Sequence, residues 1–333
     1  MTNAPRRNTS RGAGTSAVRG ALVQGAALGA VVIVLWWLGH NTLVTLQEHD
    51  VPFGFDFLRQ PANFDIGDTG GLRFGPQDTI GRAIVVGLGN TLRVAALGCV
   101  LAILCGFLLG ILRLVANPMV RGVARSIVEV MRNTPLLLLL LFLDATIRQL
   151  PGPGEALHPM SGVFISNRGL ALPSFAFSSG TLDLPHLAGF NFVGGWTLSP
   201  EFAALLAALV LHHAAHISEV VRGAILAVPR GQQEAARALG LSSFQVLRFV
   251  TVPQALRAMV PLLATSCVSL VKNSSLAVAI GFPDLVSVLN TTGNQTGRNI
   301  EAMLIMIVVY LGVSLAVAAP LGRYNARFLR RVA

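Results

Sequence analysis

The sequence predicts an all-α integral membrane protein, a polytopic bundle of about six transmembrane helices. Hydrophobic residues make up 53% of the 333 residues and charged residues only 12%, about half the charged fraction of a soluble domain. Six stretches are long and apolar enough to cross about 30 Å of hydrocarbon as helices. They are 21–38, 94–112, 127–150, 202–221, 255–280 and 302–321.

Several other classes of protein are excluded by the basic residues and the cysteines. Lys272 is the only lysine and does not follow a Gly-rich turn, so this chain by itself is not a P-loop ATPase. The arginines are dispersed between apolar runs, which argues against nucleic-acid binding. Three cysteines, Cys99, Cys105 and Cys267, lie in apolar runs without C-x-x-C spacing. We interpret them as packing residues and expect no metal site.

The first apolar stretch is interpreted as a retained anchor. Four arginines precede it, as in a signal peptide, but no small-residue cleavage site follows. The sequence therefore predicts a cytoplasmic tail over 1–20, disordered through residue 19, an N-terminal anchor helix over 21–38, and a periplasmic loop over 39–83.

The distribution of arginines predicts the orientation. With the N-terminus inside, 17 of the 24 arginines fall in the internal segments 1–20, 113–132, 222–257 and 322–333. The positive-inside rule then predicts six helices with both termini cytoplasmic. The external segments 51–76 and 151–200, rich in Gly and Pro, are expected to be irregular periplasmic loops. The fifth stretch is interrupted at Lys272, so it is either one long tilted helix or a helix ending there, followed by a short turn.

The internal loop at 222–257 is the most informative segment. A short helix is predicted over 232–239, with a left-handed cap at Gly240. Ser242 and Ser243 offer an N-cap for a second helix over 244–250, before Pro253 turns the chain back into the membrane. An ordered loop of this length needs a reason, because short connections suffice between neighbouring helices.

This loop resembles the EAA motif of ABC importer permeases. The matching residues are Glu234-Ala235-Ala236, Gly240, Val250 and Val252-Pro253. Further segments resemble the polar amino-acid branch, the permeases for general L-amino acids or for glutamate, glutamine, aspartate and asparagine. They are 132–137, 167–170, 195–202, 272–277, 283–286 and 294–297. The resemblance covers roughly 84–330.

The resemblance implies a type I ABC importer permease (MetI-like) core over 84–330, in the bacterial inner membrane. It also implies that this chain is not an enzyme and binds no cofactor, since ATP and Mg²⁺ belong to a partner ATPase. The expected partners are a homologous permease in a heterodimer, two ATPase subunits, a periplasmic amino-acid-binding protein and membrane lipid. In such a coupling loop, Glu234 and Arg237 would contact the ATPase, Ala235 and Ala236 would permit close docking, and Gly240 and Pro253 would shape the loop.

Ionisable residues inside the predicted fourth helix support two hypotheses. His212 and His216 share a helical face and Glu219 follows three residues later, a spacing that could hold Zn²⁺ in an intramembrane metallohydrolase. A zincin helix, however, carries Glu directly after the first His, where this chain has His213. The favoured hypothesis is that these residues line a substrate path or satisfy interhelical hydrogen bonds.

Lys272 is the remaining candidate. It could attract a substrate carboxylate with the help of Asn273 and Ser274, or it could anchor a helix end at the membrane interface.

Overall fold

The computed structural model describes residues 12–48, 53–176 and 181–329, and it divides into two compact units, Met1–Phe55 and Asp56–Ala333. In the first unit, helix α1 (Gly12–Glu48) is continuous and carries exposed apolar side chains. It contains the predicted anchor. The prediction of a disordered tail is wrong for residues 12–19, because no proline interrupts the helix there. Residues 1–11 lie outside the described residues.

The second unit is mostly helical. Its main helices are α2 (Ile80–Leu112), α3 (Pro118–Asn133), α4 (Leu136–Arg148), α5 (Pro200–Leu226), α6 (Arg230–Ala238), α7 (Ser243–Val246), α8 (Val252–Asn273), α9 (Leu285–Thr296) and α10 (Asn299–Leu329). Short 3₁₀ helices cover Asp56–Arg59, Pro153–Glu155 and Ser274–Ile280, and a π turn covers Leu247–Thr251. The central core lies where α2, α5 and α8 pack together.

The predicted bundle of about six membrane helices is confirmed. Five helical segments in the described residues are long and apolar enough to span a membrane, and α3 with α4 makes a sixth if that pair counts as one span. The pair is bent by 104°, so the prediction of one straight helix over 127–150 is wrong. Pro135 explains the break, because a proline disfavours helical backbone at the preceding residue. Thr134 is accordingly extended, with ψ 124°.

Helix α2 begins fourteen residues before the predicted stretch and packs closely on α5. Thr79 caps it, since its side chain accepts a hydrogen bond from the backbone N–H of Arg82. Gly106 and Gly110 face α5 so closely that an added Cβ would lie 2.5 Å and 2.8 Å from the side chains of Ile217 and Val221. Small residues four apart allow this approach between membrane helices.

The two predicted irregular loops are more ordered than expected. Residues 56–79 contribute to a small core in which Phe57, Ala62 and Ile66 pack on α2. The segment 151–200 contains eight short strands: β1 (Leu157–Met160), β2 (Val163–Ser166), β3 (Gly169–Leu172), β4 (Ser174–Ala176), β5 (Thr181–Asp183), β6 (His186–Ala188), β7 (Asn191–Val193) and β8 (Trp196–Leu198). They form an antiparallel sheet ordered β1-β2-β3-β8 and the hairpins β4-β5 and β6-β7. Strands of three or four residues are too short to show an alternating pattern.

The fifth stretch resolves into the second of the two predicted alternatives. Helix α8 ends at Asn273, and a 3₁₀ helix continues to Ile280 before Gly281 adopts a left-handed conformation, φ 77°. Helix α9, which was not predicted, follows directly. Its polar composition hides it from a hydropathy scan, but Asp284 caps its N-terminus by accepting a hydrogen bond from Ser287 N–H.

Candidate coupling loop and translocation site

The predicted pair of short helices is present as α6 and α7, which we together call the loop knob. Two complementary caps join them. Helix α6 ends in a Schellman arrangement, in which Gly240 N–H donates to Arg237 O and Leu241 N–H donates to Ala236 O. Gly240 has φ +83°, as predicted. Ser242 then forms a capping box with Gln245, each side chain accepting from the other residue's backbone N–H. These caps hold α6 and α7 at a sharp corner.

The predicted turn at Pro253 is wrong. Helix α7 continues through the π turn into α8, with Pro253 near the start of α8. A proline ring clashes with the carbonyl four residues earlier in a regular α-helix, and the wider π turn directly before Pro253 relieves this clash. The loop knob is therefore joined to a membrane helix without a flexible break.

Most of α6 is exposed, with Gln233 half-buried and Ala236 buried. Ala236 is buried at 6% exposure, whereas Glu234, Ala235, Arg237 and Gly240 are exposed. Ala236 packs inward toward the loop, and the other side chains are free to contact another protein. A cavity of about 430 Å³ lies beneath α6, and Arg237 lines its edge.

The three histidines of α5 form a chain of ring contacts, with His212 between His213 and His216. His213 is buried and its Nε2 lies 3.2 Å from Nδ2 of Asn273, at the end of α8. The ring of His212 lies edge to face with both neighbours, at centroid distances of 4.8 Å from His216 and 5.5 Å from His213. Asn273 and His213 are thus brought together as an interhelical contact.

Glu219 is bound by arginines. Its carboxylate lies 2.6 Å from Nη1 of Arg113 and pairs with Arg222, and Arg132 is 3.7 Å away. A carboxylate held in this way is not available as a metal ligand. Within the described ranges 12–48, 53–176 and 181–329, no three His, Cys, Asp or Glu side chains are grouped to hold a metal ion. Neither observation favours the metallohydrolase hypothesis.

Lys272 lies apart from the histidines. Its exposed side chain lines a groove of about 440 Å³ between the end of α8, α9 and α10, together with Ser275, Tyr310 and Ser314. Ser274 does not line this groove, because its buried hydroxyl donates to Val271 O at 2.8 Å. The sequence predicted that Ser274 would assist Lys272, but the serine that lies beside Lys272 in the groove is Ser275.

A buried polar network beside the groove was missed in the sequence. Asn90 Nδ2 donates to Pro283 O, and Thr91 Oγ1 accepts from Leu285 N–H. Asp284 is 1% exposed and accepts a hydrogen bond from Tyr310 Oη at 3.3 Å. Burial raises the pKa of Asp284 to about 6. Two adjacent polar residues, Asn90 and Thr91, inside a largely apolar helix are the signal that could have revealed this network.

Comparison with known proteins assigns the chain to a family. The family described as "Binding-protein-dependent transport system inner membrane component" matches residues 102–331. The putative amino-acid ABC transporter permease protein YhdX of Escherichia coli is 38% identical, over 97% of this chain and 98% of that protein. The general L-amino acid transport system permease protein AapQ of Rhizobium johnstonii is 36% identical, over 90% of each chain.

A solved structure shares the fold. The crystal structure of an amino acid ABC transporter with histidines matches with a TM-score of 0.55 at 25% identity, over 74% of this chain and 94% of that chain. Both the sequence match and the helical arrangement therefore agree. The chain belongs to the family of binding-protein-dependent transport system inner membrane components, the permeases of ABC transporters.

Proposed function

We propose that this chain is the permease subunit of an ABC importer that moves polar L-amino acids across the inner membrane, driven by ATP hydrolysis in a partner subunit. The substrate class is supported by relatives whose names specify amino acids, including the glutamate/glutamine/aspartate/asparagine permease BztB of Rhodobacter capsulatus, 33% identical over 87% of this chain. This chain acts as a transport component. ATP and Mg²⁺ bind to the partner subunit, which hydrolyses the ATP.

The exposed knob at α6 is the observation that carries the coupling role. Glu234 and Arg237 present charges outward, and the Schellman turn at Gly240 fixes the orientation of α6 relative to α7. Gln254, at the start of α8, also donates a side-chain hydrogen bond to Gln232 of α6. A displacement of α6 by the ATPase would thus be transmitted to α8 through a continuous helix and a cross-link.

The substrate path is proposed to run beside α5, α8 and α10. His213 and Asn273 connect α5 to α8, while Lys272 supplies a positive charge in the groove beside α10. The ammonium of Lys272 has no hydrogen bond or ion pair with any residue that the structure describes, so a substrate carboxylate could bind it. His212 and His216 stay candidates for the path. Glu219 is better explained as the counter-charge of its arginines.

The assembly is proposed to contain a second, homologous permease, two ATPase subunits and a periplasmic amino-acid-binding protein. The family description, a binding-protein-dependent inner membrane component, supports a binding protein and the inner membrane. Both termini are placed in the cytoplasm on the arginine distribution. The knob then faces the cytoplasm, where an ATPase subunit can reach it.

Co-purification tests the coupling role. The tagged full chain, solubilised in mild detergent, is expected to retain a P-loop ATPase and a second permease. Glu234→Arg should lose the ATPase and keep the second permease, because the reversed charge lies on the docking surface. Glu155→Arg, an equally exposed carboxylate outside the loop, is the matched control and should keep both. A wild-type chain that retains no ATPase contradicts the proposal, as does equal loss in both variants.

A further inference from the structure

Two levels of charged residues mark the limits of the hydrocarbon layer on α2 and α5. Arg93 lies on α2 and Arg113 caps the end of this helix, twenty residues or about 30 Å further along, with no charged residue between them. The guanidinium of Arg93 lies 4.2 Å from the ring centroid of Phe202 at the start of α5, and Arg113 pairs with Glu219 near its end. We call the two ends of this apolar layer the Arg93 level, near the start of α5 at Phe202, and the Arg113 level, where Arg113 pairs with Glu219.

Helix α3 lies at the Arg113 level. It packs against α5 and α2, and its Arg132 lies 3.7 Å from Glu219. Helix α4 then leads to the Arg93 level, where Arg148 pairs with Glu201 at 2.9 Å. Since α4 leads from one level toward the other and α3 is bent by 104° from α4, we infer that α3 runs along the Arg113 level and does not cross the layer.

The sixteen residues of α3 divide into three sides. Ala124 and Val128 are buried against the protein, and Met131 is half-buried beside them. An apolar side is exposed, in contrast, with Met119 at 78% and Val123 and Val130 each at 56%. The third side carries the charged residues, as the 3.6-residue period places them opposite the exposed apolar side.

The charged side is cationic. It contains Arg121, Arg125 and Arg132 and a single acidic residue, Glu129. Arg125 pairs with Glu129 at 2.7 Å, while the side chain of Arg121 has no ion pair or hydrogen bond with any residue in the described ranges. A helix at an interface with an apolar face toward the hydrocarbon and arginines on the opposite face fits a bilayer that carries negative headgroups.

We propose that α3 lies in the membrane plane at the Arg113 level, with its exposed apolar side in the acyl chains and with Arg121 and Arg125 bound to the headgroups of anionic phospholipids. The lipid contact would stabilise the segment that leads from α2 into the bent α3–α4 pair. Since α3 also touches Glu219 through Arg132, bound lipid would support the packing of α3 on α5.

Lipid binding to the purified full chain tests the proposal. Native mass spectrometry with added phosphatidylglycerol, and with phosphatidylcholine as the neutral reference, measures the retained lipid. We expect selective retention of phosphatidylglycerol, and binding weakened on the order of tenfold in R121Q/R125Q. R121K/R125K should keep the binding, and Glu129→Gln should strengthen it. The matched control is R59Q/R73Q, which removes two exposed arginines from the segment before α2. This variant should leave the binding of phosphatidylglycerol unchanged.

Equal weakening in R121Q/R125Q and R59Q/R73Q would overturn the proposal in favour of a general effect of net charge. Unchanged binding in R121Q/R125Q would overturn it as well. A photo-crosslinking amino acid at Val123, in the assembled transporter in its membrane, tests the other occupants of the apolar side. Adducts with lipid only are expected, whereas an adduct with an ATPase or a second permease chain would show that protein covers this side.

Discussion

At the scale of single residues, Asp284 connects local helix chemistry to the response to pH. Its carboxylate caps α9 and is almost fully buried, and burial raises its pKa to about 6. Between pH 4 and 6 the folded protein therefore keeps a proton that the unfolded chain releases, so stability falls as pH rises through this window. Asp284→Asn keeps a good N-cap and removes the titration.

We expect the variant Asp284→Asn to gain stability relative to the wild type as pH rises from 4.5 to 7, by at most on the order of 2 kcal/mol. The measurement is the thermal midpoint of the detergent-solubilised full chain at both pH values. A difference between the two proteins that stays constant with pH would mean that Asp284 does not titrate in this window.

At the scale of secondary-structure elements, the contact between α2 and α5 depends on the glycines at their crossing. A Cβ at Gly106 would meet both the side chain of Ile217 and the carbonyl oxygen of Ala214, 3.0 Å away. To make room for the added Cβ, the backbones of α2 and α5 would have to move apart. Gly106→Ala is therefore expected to destabilise the protein by about 1 to 3 kcal/mol, although alanine favours helix.

Gly312→Ala in α10 is the matched control, because no atom lies within 4 Å of the added Cβ. It should be neutral or stabilising by up to about 1 kcal/mol. Thermal midpoints of the two variants in the same detergent compare the effects. If Gly106→Ala is as stable as Gly312→Ala, the close approach of α2 and α5 is not required for folding.

At the scale of the whole molecule, Lys272 tests whether the groove beside α10 belongs to the transport path. Lys272→Gln should lower uptake of acidic and other polar L-amino acids by the complete transporter, mainly through a raised KM, because an attractive charge for the substrate carboxylate is lost. Lys272→Arg should restore most of the uptake. Uptake of radiolabelled amino acids into cells that express the whole importer measures the effect.

An interfacial anchor would behave differently in that experiment. Lys272→Gln would then lower the amount of protein in the membrane and leave the KM of the remaining transporter unchanged. Protein abundance is therefore measured in parallel, and an unchanged KM would contradict the carboxylate hypothesis. The glycine variant Gly223→Ala, at an open helical position of α5, controls for nonspecific loss of protein.

Much of the architecture could be predicted because it depends on local chemistry. Apolar stretches of membrane length identify the spans, and Gly240 with Ser242 predicts the corner of the knob from capping preferences alone. The break at Pro135 also depends on local chemistry, because a proline restricts the backbone of the preceding residue, here Thr134. The helix predicted over 127–150 did not take this restriction into account. The polar helix α9 and the short strands in 151–200 carry too little periodic signal to be found this way.

The sequence by itself determined that this protein spans a membrane, that a corner is capped at Gly240 and Ser242, and where a permease knob lies, since each of these depends on neighbouring residues. Only the tertiary structure decided which distant groups meet. Arg113 and Glu219 are far apart in the chain, yet they pair because α2 and α5 pack closely at Gly106 and Gly110. Which distant residues pair with each other depends on how the helices pack, and the pattern of residues along the chain does not specify this packing.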